Sequence, residues 1–374
     1  MNAQVDYDLH GLAGIRLLDA SPGDIAAVRR QVGPLGAPLK SAPDLSIRFV
    51  EQLPVSSRIR YLGLGDAGFT DDAFLVLRGK YKSRARVQIP FDRIGRPCEI
   101  ICERGLLEVP LLIPILNLTI LGKGSLPLHA SALTYRSIGV LAMGWSKGGK
   151  TEVLLAFMAN GASYVGDEWV YLTGDGRHMY GIPQPIRIWK WHLRSLPEYG
   201  MSLRRTERLR LGLTGFLAAT LDKATSGGRR NGFPLGTTGN RVRALLERQM
   251  YVDVPPHRLF GEEACKLEGV PERILFVASH DSPQVIVRPI DPEEVAKRMV
   301  FSFLEEQQAL TSYYWKFRFA FPEAPNELIE GSRDLQCEIL SRALKGKQVH
   351  EVLHPYPVHL PSLFEAIRDC ELTW

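Results

Sequence analysis

One stretch constrains the fold more than any other: "GVLAMGWSKGGKTEVLLAF", Gly139 to Phe157. An apolar run, a glycine-bearing turn and a second apolar run at helical spacing predict strand, loop and helix. Gly144 to Thr151 fits the pattern G-x-x-x-x-G-K-[ST]. Glycines let such a turn curl so that backbone N–H groups face phosphate oxygens, and the helix opening at Lys150 adds its partial positive end. The pattern predicts a nucleoside triphosphate held by Gly144, Ser146, Lys147, Gly148, Gly149, Lys150 and Thr151. Lys150 would reach the β- and γ-phosphates, and the Thr151 hydroxyl would ligate magnesium.

The next acids in the chain are Asp167 and Glu168, at the tip of the strand-like run "SYVG". A carboxylate on a neighbouring strand tip can hold magnesium or take the proton of an attacking hydroxyl. Adjacent side chains on a regular strand point to opposite faces, so one is expected to serve while the other packs or caps. The competing reading is a solvated acidic turn. His129, in "LHASAL", lies on the strand before the loop; a histidine among apolar neighbours is commonly a core residue, and its function rests on what surrounds it.

The chain has 374 residues, more than one core usually serves, which predicts two domains. Residues 1–123 read as a mixed, β-rich domain of unknown role. "SPGD" at Ser21–Asp24 signals a helix start and Gly33-Pro34 its end. "LSIRFVEQL", "AFLVLRG", "RARVQIPF" and "CEIICE" follow as short strands. Residues 124–374 form the second unit, with a basic insert around 190–248. Its expected elements include strands "LPLHASALTY", "SIGVLAMG", "SYVGDEWVYLT", "GIPQPIRIW", "RILFVAS" and "PQVIVRPI", with a helix over Asp291–Leu310. "YYWKFRFAF", Tyr313–Phe321, reads as a core strand.

Charge is lopsided. Arg177 to Arg248 holds fourteen Lys/Arg against four acids, while the whole chain nets only +5. Phosphoryl transfer needs charge neutralisation, so Arg187, Arg204, Arg205, Arg229 and Arg230 are candidates for contacting substrate. A basic solvated face is the plain alternative. No recognised binding module accompanies this charge, which argues against nucleic acid. "LLEVPLLIPILNLTILG", Leu106–Gly122, is short for a membrane span and carries Glu108, Pro110 and Pro114, so it reads as buried helix and no membrane partner is expected. The five cysteines are scattered, and the first residues lack a signal peptide's basic flank and apolar core; both point to a reduced, cytoplasmic setting. His350, His354 and His359 hint at metal, but Pro355 and Pro357 break any helix that would align them. Assembly into a homo-oligomer stays open.

"LHASAL…GVLAMGWSKGGKTEVLLAFMANGASYVGDEWVYL" resembles the catalytic core of HPr kinase/phosphorylase and its relatives, which include peptide-tailoring kinases. The shared order is an upstream histidine, the loop followed at once by an acid (Glu152), a short helix, and a carboxylate pair. That family usually has two aspartates in the pair, and here the second is Glu168; the glycine-rich segment used for the phosphorylase reaction is missing. The resemblance spans about Leu126–Trp189. It implies an α/β fold with a P-loop kinase core of the HPr-kinase/phosphoenolpyruvate-carboxykinase type, with a β-rich N-terminal domain. It also implies ATP and Mg2+ as cofactors, Asp167 as base toward the acceptor, Glu168 and Glu152 as acids near the metal, and His129 beside the transferring phosphate. The implied acceptor is a serine of a peptide or protein, or else a small hydroxyl compound such as a sugar or amino acid. The alternative of another class is a nucleotide-binding regulator that transfers nothing.

Overall fold

Alternation of buried and half-exposed residues in "AGIRLLDA" and "LSIRFV" lays the N-terminal third down as sheet. The computed structural model describes residues 3–63, 66–78, 84–214, 220 and 250–370. Strands β1 (Ala3–Leu9), β2 (Ala13–Ala20), β3 (Leu45–Val50), β4 (Arg60–Leu62), β5 (Ala67–Phe69), β6 (Phe74–Arg78), β7 (Arg84–Gln88) and β8 (Cys98–Glu103) make one mixed sheet, in the order β1-β2-β3-β8-β7-β6-β5-β4. Helix α1 (Pro22–Val32) is the crossover between parallel β2 and β3. Its start matches the expectation: Ser21 and Asp24 form a reciprocal capping box, Pro22 opens the first turn, and Gly33 at φ 78° ends it. The hairpin β1–β2 escaped the sequence reading because "DLHGLAG" interrupts it with turn residues and acids.

Helix α2 (Leu112–Gly122) is apolar around its whole circumference and buried, packing against β2 and against β9 (Leu126–Tyr135) of the second sheet. Among the described residues no helix is long and apolar enough to cross a membrane.

The second sheet comprises β9, β10 (Ile138–Met143), β11 (Ser163–Gly166), β12 (Trp169–Leu172), β13 (Met179–Gly181), β16 (Glu268–Gly269), β17 (Pro271–His280), β18 (Ile286–Pro289) and β19 (Gln348–Pro355). β14 (Ile186–Trp189) pairs only with β15 (Tyr251–Val254), as a separate ribbon. β10 and β11 both pair with β9 in antiparallel sense, so the crossover through α3 (Lys150–Met158) joins two strands that run parallel to each other. "PQVIVRPI" does not neighbour "RILFVAS": β19 lies between β17 and β18, parallel to the first and antiparallel to the second.

Two corrections concern secondary structure. "SYVGDEWVYLT" is two strands, β11 and β12, divided at Asp167-Glu168. Tyr313–Phe321 is not a strand. Tyr313–Ala320 lies on the last third of helix α4 (Pro292–Ala320), which follows its Asp291 cap and runs ten residues beyond the expected end, and Phe321 is its C-terminal cap. Tyr314 and Phe317 are buried three residues apart while Trp315 and Phe319 are exposed, which is helical spacing, and no Pro or Gly breaks the run. Aromatic content suggested a strand; burial period decided for a helix. α5 (Glu327–Leu344) packs on α4, and α6 (Leu360–Asp369) packs on α3.

The whole is a mixed α/β protein. Its main core joins the two sheets: Phe74 and Phe91 of the first region meet Phe317 of α4 at ring distances of 5.8 and 5.6 Å. Asn326, before α5, donates to the carbonyls of Phe91 and Ile94 at 2.7 and 2.9 Å. All five cysteines are free thiols, and burial pushes Cys98 up to about 11.

Candidate functional site

The loop between β10 and α3 owes its shape to glycine. Gly144 and Gly149 adopt φ values of 152° and 106°, in the region closed to most side chains. A Cβ at Gly144 would lie 2.3 Å from the Val277 carbonyl oxygen, and one at Gly149 would lie 1.9 Å from Nε2 of His354. His354, fully buried on β19, donates from Nε2 to the Gly148 carbonyl at 3.0 Å and so backs the loop. The other two C-terminal histidines go elsewhere: His350 sits further back on β19, and Nδ1 of His359 meets the Ser362 hydroxyl at 2.9 Å.

Lys150 opens α3 and folds back over the loop, where its ammonium donates to the carbonyls of Gly144 (3.2 Å) and Trp145 (2.9 Å). Burial, the largest effect, lowers its pKa against the pull of nearby carboxylates. Thr151 donates to Asp167 at 3.1 Å. The second donor to Asp167 is Ser131, two residues after His129 on β9. Burial first, and the Glu168 charge second, push the Asp167 carboxyl up to about 7.

Asp167 and Glu168 do not sit on a regular strand, and both side chains line the same cleft. Glu168 has φ 67°, a left-handed kink that ends β11 and begins β12. The expectation that only one of the pair could face the site fails for that reason. Glu168 accepts from Nε2 of His129 at 3.2 Å, and Nδ1 of His129 meets Glu306 of α4. The His129 contact draws the Glu168 carboxyl below its usual range. Burial lowers the His129 pKa, but its two carboxylate partners outweigh this and leave it raised to about 9.

The cleft holds about 450 Å³ and is lined by Ser146, Lys147, Gly149, Lys150, Thr151 and Glu152 from the loop and helix, with His129, Asp167 and Glu168. Arg187, on β14, also lines it; Asp253 accepts from its Nε at 3.3 Å and its guanidinium lies over the Tyr251 ring. Gly144 and Gly148 shape the turn from behind. Arg204 and Arg205 are exposed and do not line the cleft. Arg229 and Arg230 lie outside the described residues.

Several contributors were missed by sequence reasoning: Ser131, Glu306, Trp189, His192, Ser279 and Tyr356. His192 reaches Glu152 at 3.3 Å; burial pushes that carboxyl up, but the contacts led by His192 together outweigh it and leave its pKa lowered. Only Ser131 carried a local signal, since residues i and i+2 share a strand face and His129 was already in hand.

Among the described residues no group of three or more His, Cys, Asp and Glu side chains is arranged to hold a metal ion. The hard oxygens of Thr151, Asp167 and Glu168 are instead a partial set, of a kind completed by phosphate and water around magnesium. The arrangement combines a glycine-shaped loop at a helix start, a buried ammonium, and a carboxyl held near the neutral range. Such a set can neutralise a polyanion and exchange a proton beside it. No protein-family model matches the chain, and no curated protein is significantly similar to it.

Proposed function

We propose that the chain is an ATP-dependent phosphotransferase with a P-loop kinase core resembling that of HPr kinase, moving the γ-phosphoryl group to a hydroxyl. The observation that carries this reading is the convergence of Lys150, Thr151 and Asp167 in one cleft, with Thr151 donating to Asp167 at 3.1 Å. A bare nucleotide grip has no need of a buried carboxylate raised toward neutrality beside the phosphates.

In this reading the loop amides and the start of α3 hold the phosphates, and Lys150 leaves the carbonyls of Gly144 and Trp145 for the β- and γ-oxygens. Magnesium, held by Thr151 with Asp167 or Glu168, would supply charge neutralisation. The acceptor oxygen bonds to the γ-phosphorus, the bond from that phosphorus to the bridging oxygen of ADP breaks, and the acceptor proton passes to Asp167. Ser131 and Thr151 aim that carboxylate. His129, fixed between Glu168 and Glu306, keeps positive charge beside the transferring group.

The preferred acceptor is a serine of a peptide or protein. A cleft of about 450 Å³ takes one ligand of ordinary size, so bound nucleotide leaves little enclosed room for a second. A serine on an extended chain can enter from the open side. A small hydroxyl compound is the second reading.

The test is transfer of label from γ-labelled ATP to components of a host extract, with Asp167→Asn as the paired variant. The reading expects labelled product from the parent, none from the variant, and equal nucleotide binding by both. A parent chain that binds ATP and labels nothing turns the assignment to a nucleotide-binding regulator.

A further inference from the structure

The strands β10, β11, β17 and β19 run in one direction, and their carboxyl ends all reach the cleft. β9 lies between β10 and β11, so Asp167, which follows β11, stands two strand positions to one side of the loop that follows β10. β17 and β19 continue from β10 on the other side. Tyr356, which follows β19, therefore stands two strand positions beyond the loop in the opposite direction. Four spacings between strands put roughly 19 Å between the ends of β11 and β19.

The two sides of the cleft differ in chemistry. Asp167 has Glu168 and His129 beside it, so its side is charged. The far side offers Ser279 from β17 and the ring of Tyr356, and neither brings a charge. A nucleoside triphosphate has the same polarity, with the γ-phosphate at one end and a flat aromatic base at the other. The Tyr356 ring lines the cleft and is 57% exposed. Trp191 packs against it nearly at right angles, at 84° with centroids 5.9 Å apart. Trp191 in turn meets the ring of His192 at 4.1 Å. The fully buried His192 accepts from the Trp189 N–H at 3.1 Å and bonds Glu152, the residue after Thr151. These contacts tie Tyr356 back to α3, in register with the loop. Trp189 also lines the cleft, but it is half-buried and its ring lies against Tyr251 at 5.2 Å.

We infer that Tyr356 seats the nucleobase: the base stacks on its ring, and the phosphates run from there across the loop toward Asp167. An exposed ring that is already held in place loses little freedom when a base covers it. The inference rests on the loop holding a nucleoside triphosphate, and it stands whether or not the phosphoryl group is then transferred.

The experiment is calorimetric titration of the full chain, in buffer containing magnesium, with ATP and with inorganic tripolyphosphate. The second probe keeps the phosphates and lacks the nucleoside. Tyr356→Ala is expected to bind ATP roughly tenfold to a hundredfold more weakly than the parent, and tripolyphosphate equally well. Tyr356→Phe keeps the ring and is expected to bind ATP like the parent. Far-UV circular dichroism of both variants is expected to match the parent, because the side chain is exposed. A Tyr356→Ala variant that binds ATP as the parent does overturns the inference and leaves the loop reading standing. Equal losses for ATP and tripolyphosphate overturn it too, since the ring would then be shaping the loop. Tyr356→Phe as weak as Tyr356→Ala overturns it as well, since the hydroxyl and not the ring would then hold ATP. A parent that binds neither probe overturns the loop reading, and the inference falls with it.

Discussion

Two buried carboxylates, one in each half of the molecule, take their hydrogen bonds from different kinds of donor. Asp24, at the start of α1, accepts from the backbone N–H groups of Ser21 (3.0 Å) and Gly105 (3.2 Å) and from the Ser21 hydroxyl (2.6 Å). Asp167 accepts only from side-chain hydroxyls, those of Ser131 and Thr151, among the contacts described. Backbone donors are fixed by the helix they cap, so Asp24 is part of the frame. A hydroxyl can rotate and serve as acceptor or ligand instead, so the partners of Asp167 can let go of it. Asp24 has no second acid beside it in its cap, whereas Asp167 has Glu168. Burial is common to both carboxylates and does not distinguish them; donor type and charged neighbours do.

That contrast breaks first at Asp167. Asp167→Asn is expected to lower label transfer by about a thousandfold, the scale of a lost general base, with nucleotide affinity changed little. Transfer within tenfold of the parent would return Asp167 to a packing role like that of Asp24. Gly149→Ala comes next. Its Cβ would enter the His354 ring position at 1.9 Å and needs a left-handed φ, so the loop must move. Calorimetric titration with ATP is expected to show affinity reduced by roughly tenfold to a hundredfold. Unchanged affinity would mean that the loop does not hold the phosphates.

The frame and the loop were largely legible in the sequence, and the surroundings of the site were not. Ser21 and Pro22 announced α1, and the glycines of 144–149 announced a turn, because caps and turns are local chemistry. Leu126–Tyr135 and Ile138–Met143 were readable because buried strands are apolar runs. β19 was not, since the C-terminal segment reads as histidines and prolines and its pairing with β17 spans about seventy residues. A still longer separation hid Glu306, which reaches His129 from α4 across 177 residues. The kink at Glu168 was hidden for another reason. A non-glycine residue at positive φ leaves no mark on composition, and it alone lets two adjacent acids share one face.

Stability sharpens the comparison in the opposite direction from transfer. Asp24→Asn leaves backbone donors facing an amide N–H2 and is expected to cost about 1–3 kcal/mol in urea unfolding while nucleotide binding holds. Asp167→Asn is expected to leave the nucleotide-free protein as stable or more stable at pH 8. The sign follows from linkage: the folded pKa of Asp167 lies above its unfolded value, so its contribution is fully present below the unfolded pKa and is lost as pH rises through about 7. An Asp167→Asn variant less stable than the parent at pH 8 would mean that the carboxylate is as structural as that of Asp24.

The smallest expected effect is at Glu306. Its carboxylate holds Nδ1 of His129, which leaves Nε2 directed at Glu168. Glu306→Gln keeps the shape and a hydrogen-bond acceptor but removes one of two negative charges beside the ring. Transfer is expected to fall about tenfold in kcat with the KM for ATP unchanged, because the residue positions His129 and does not itself line the cleft beside the loop. A merely structural role could lower kcat as well, so the deciding readout is the ring's own titration, followed by proton NMR. His129 stands at about 9 in the parent with both acids present, and it is expected to titrate lower in the variant. A His129 that still titrates near 9 would assign the elevation to Glu168 alone, and the contact from α4 would then be packing of the same kind as the Asp24 cap.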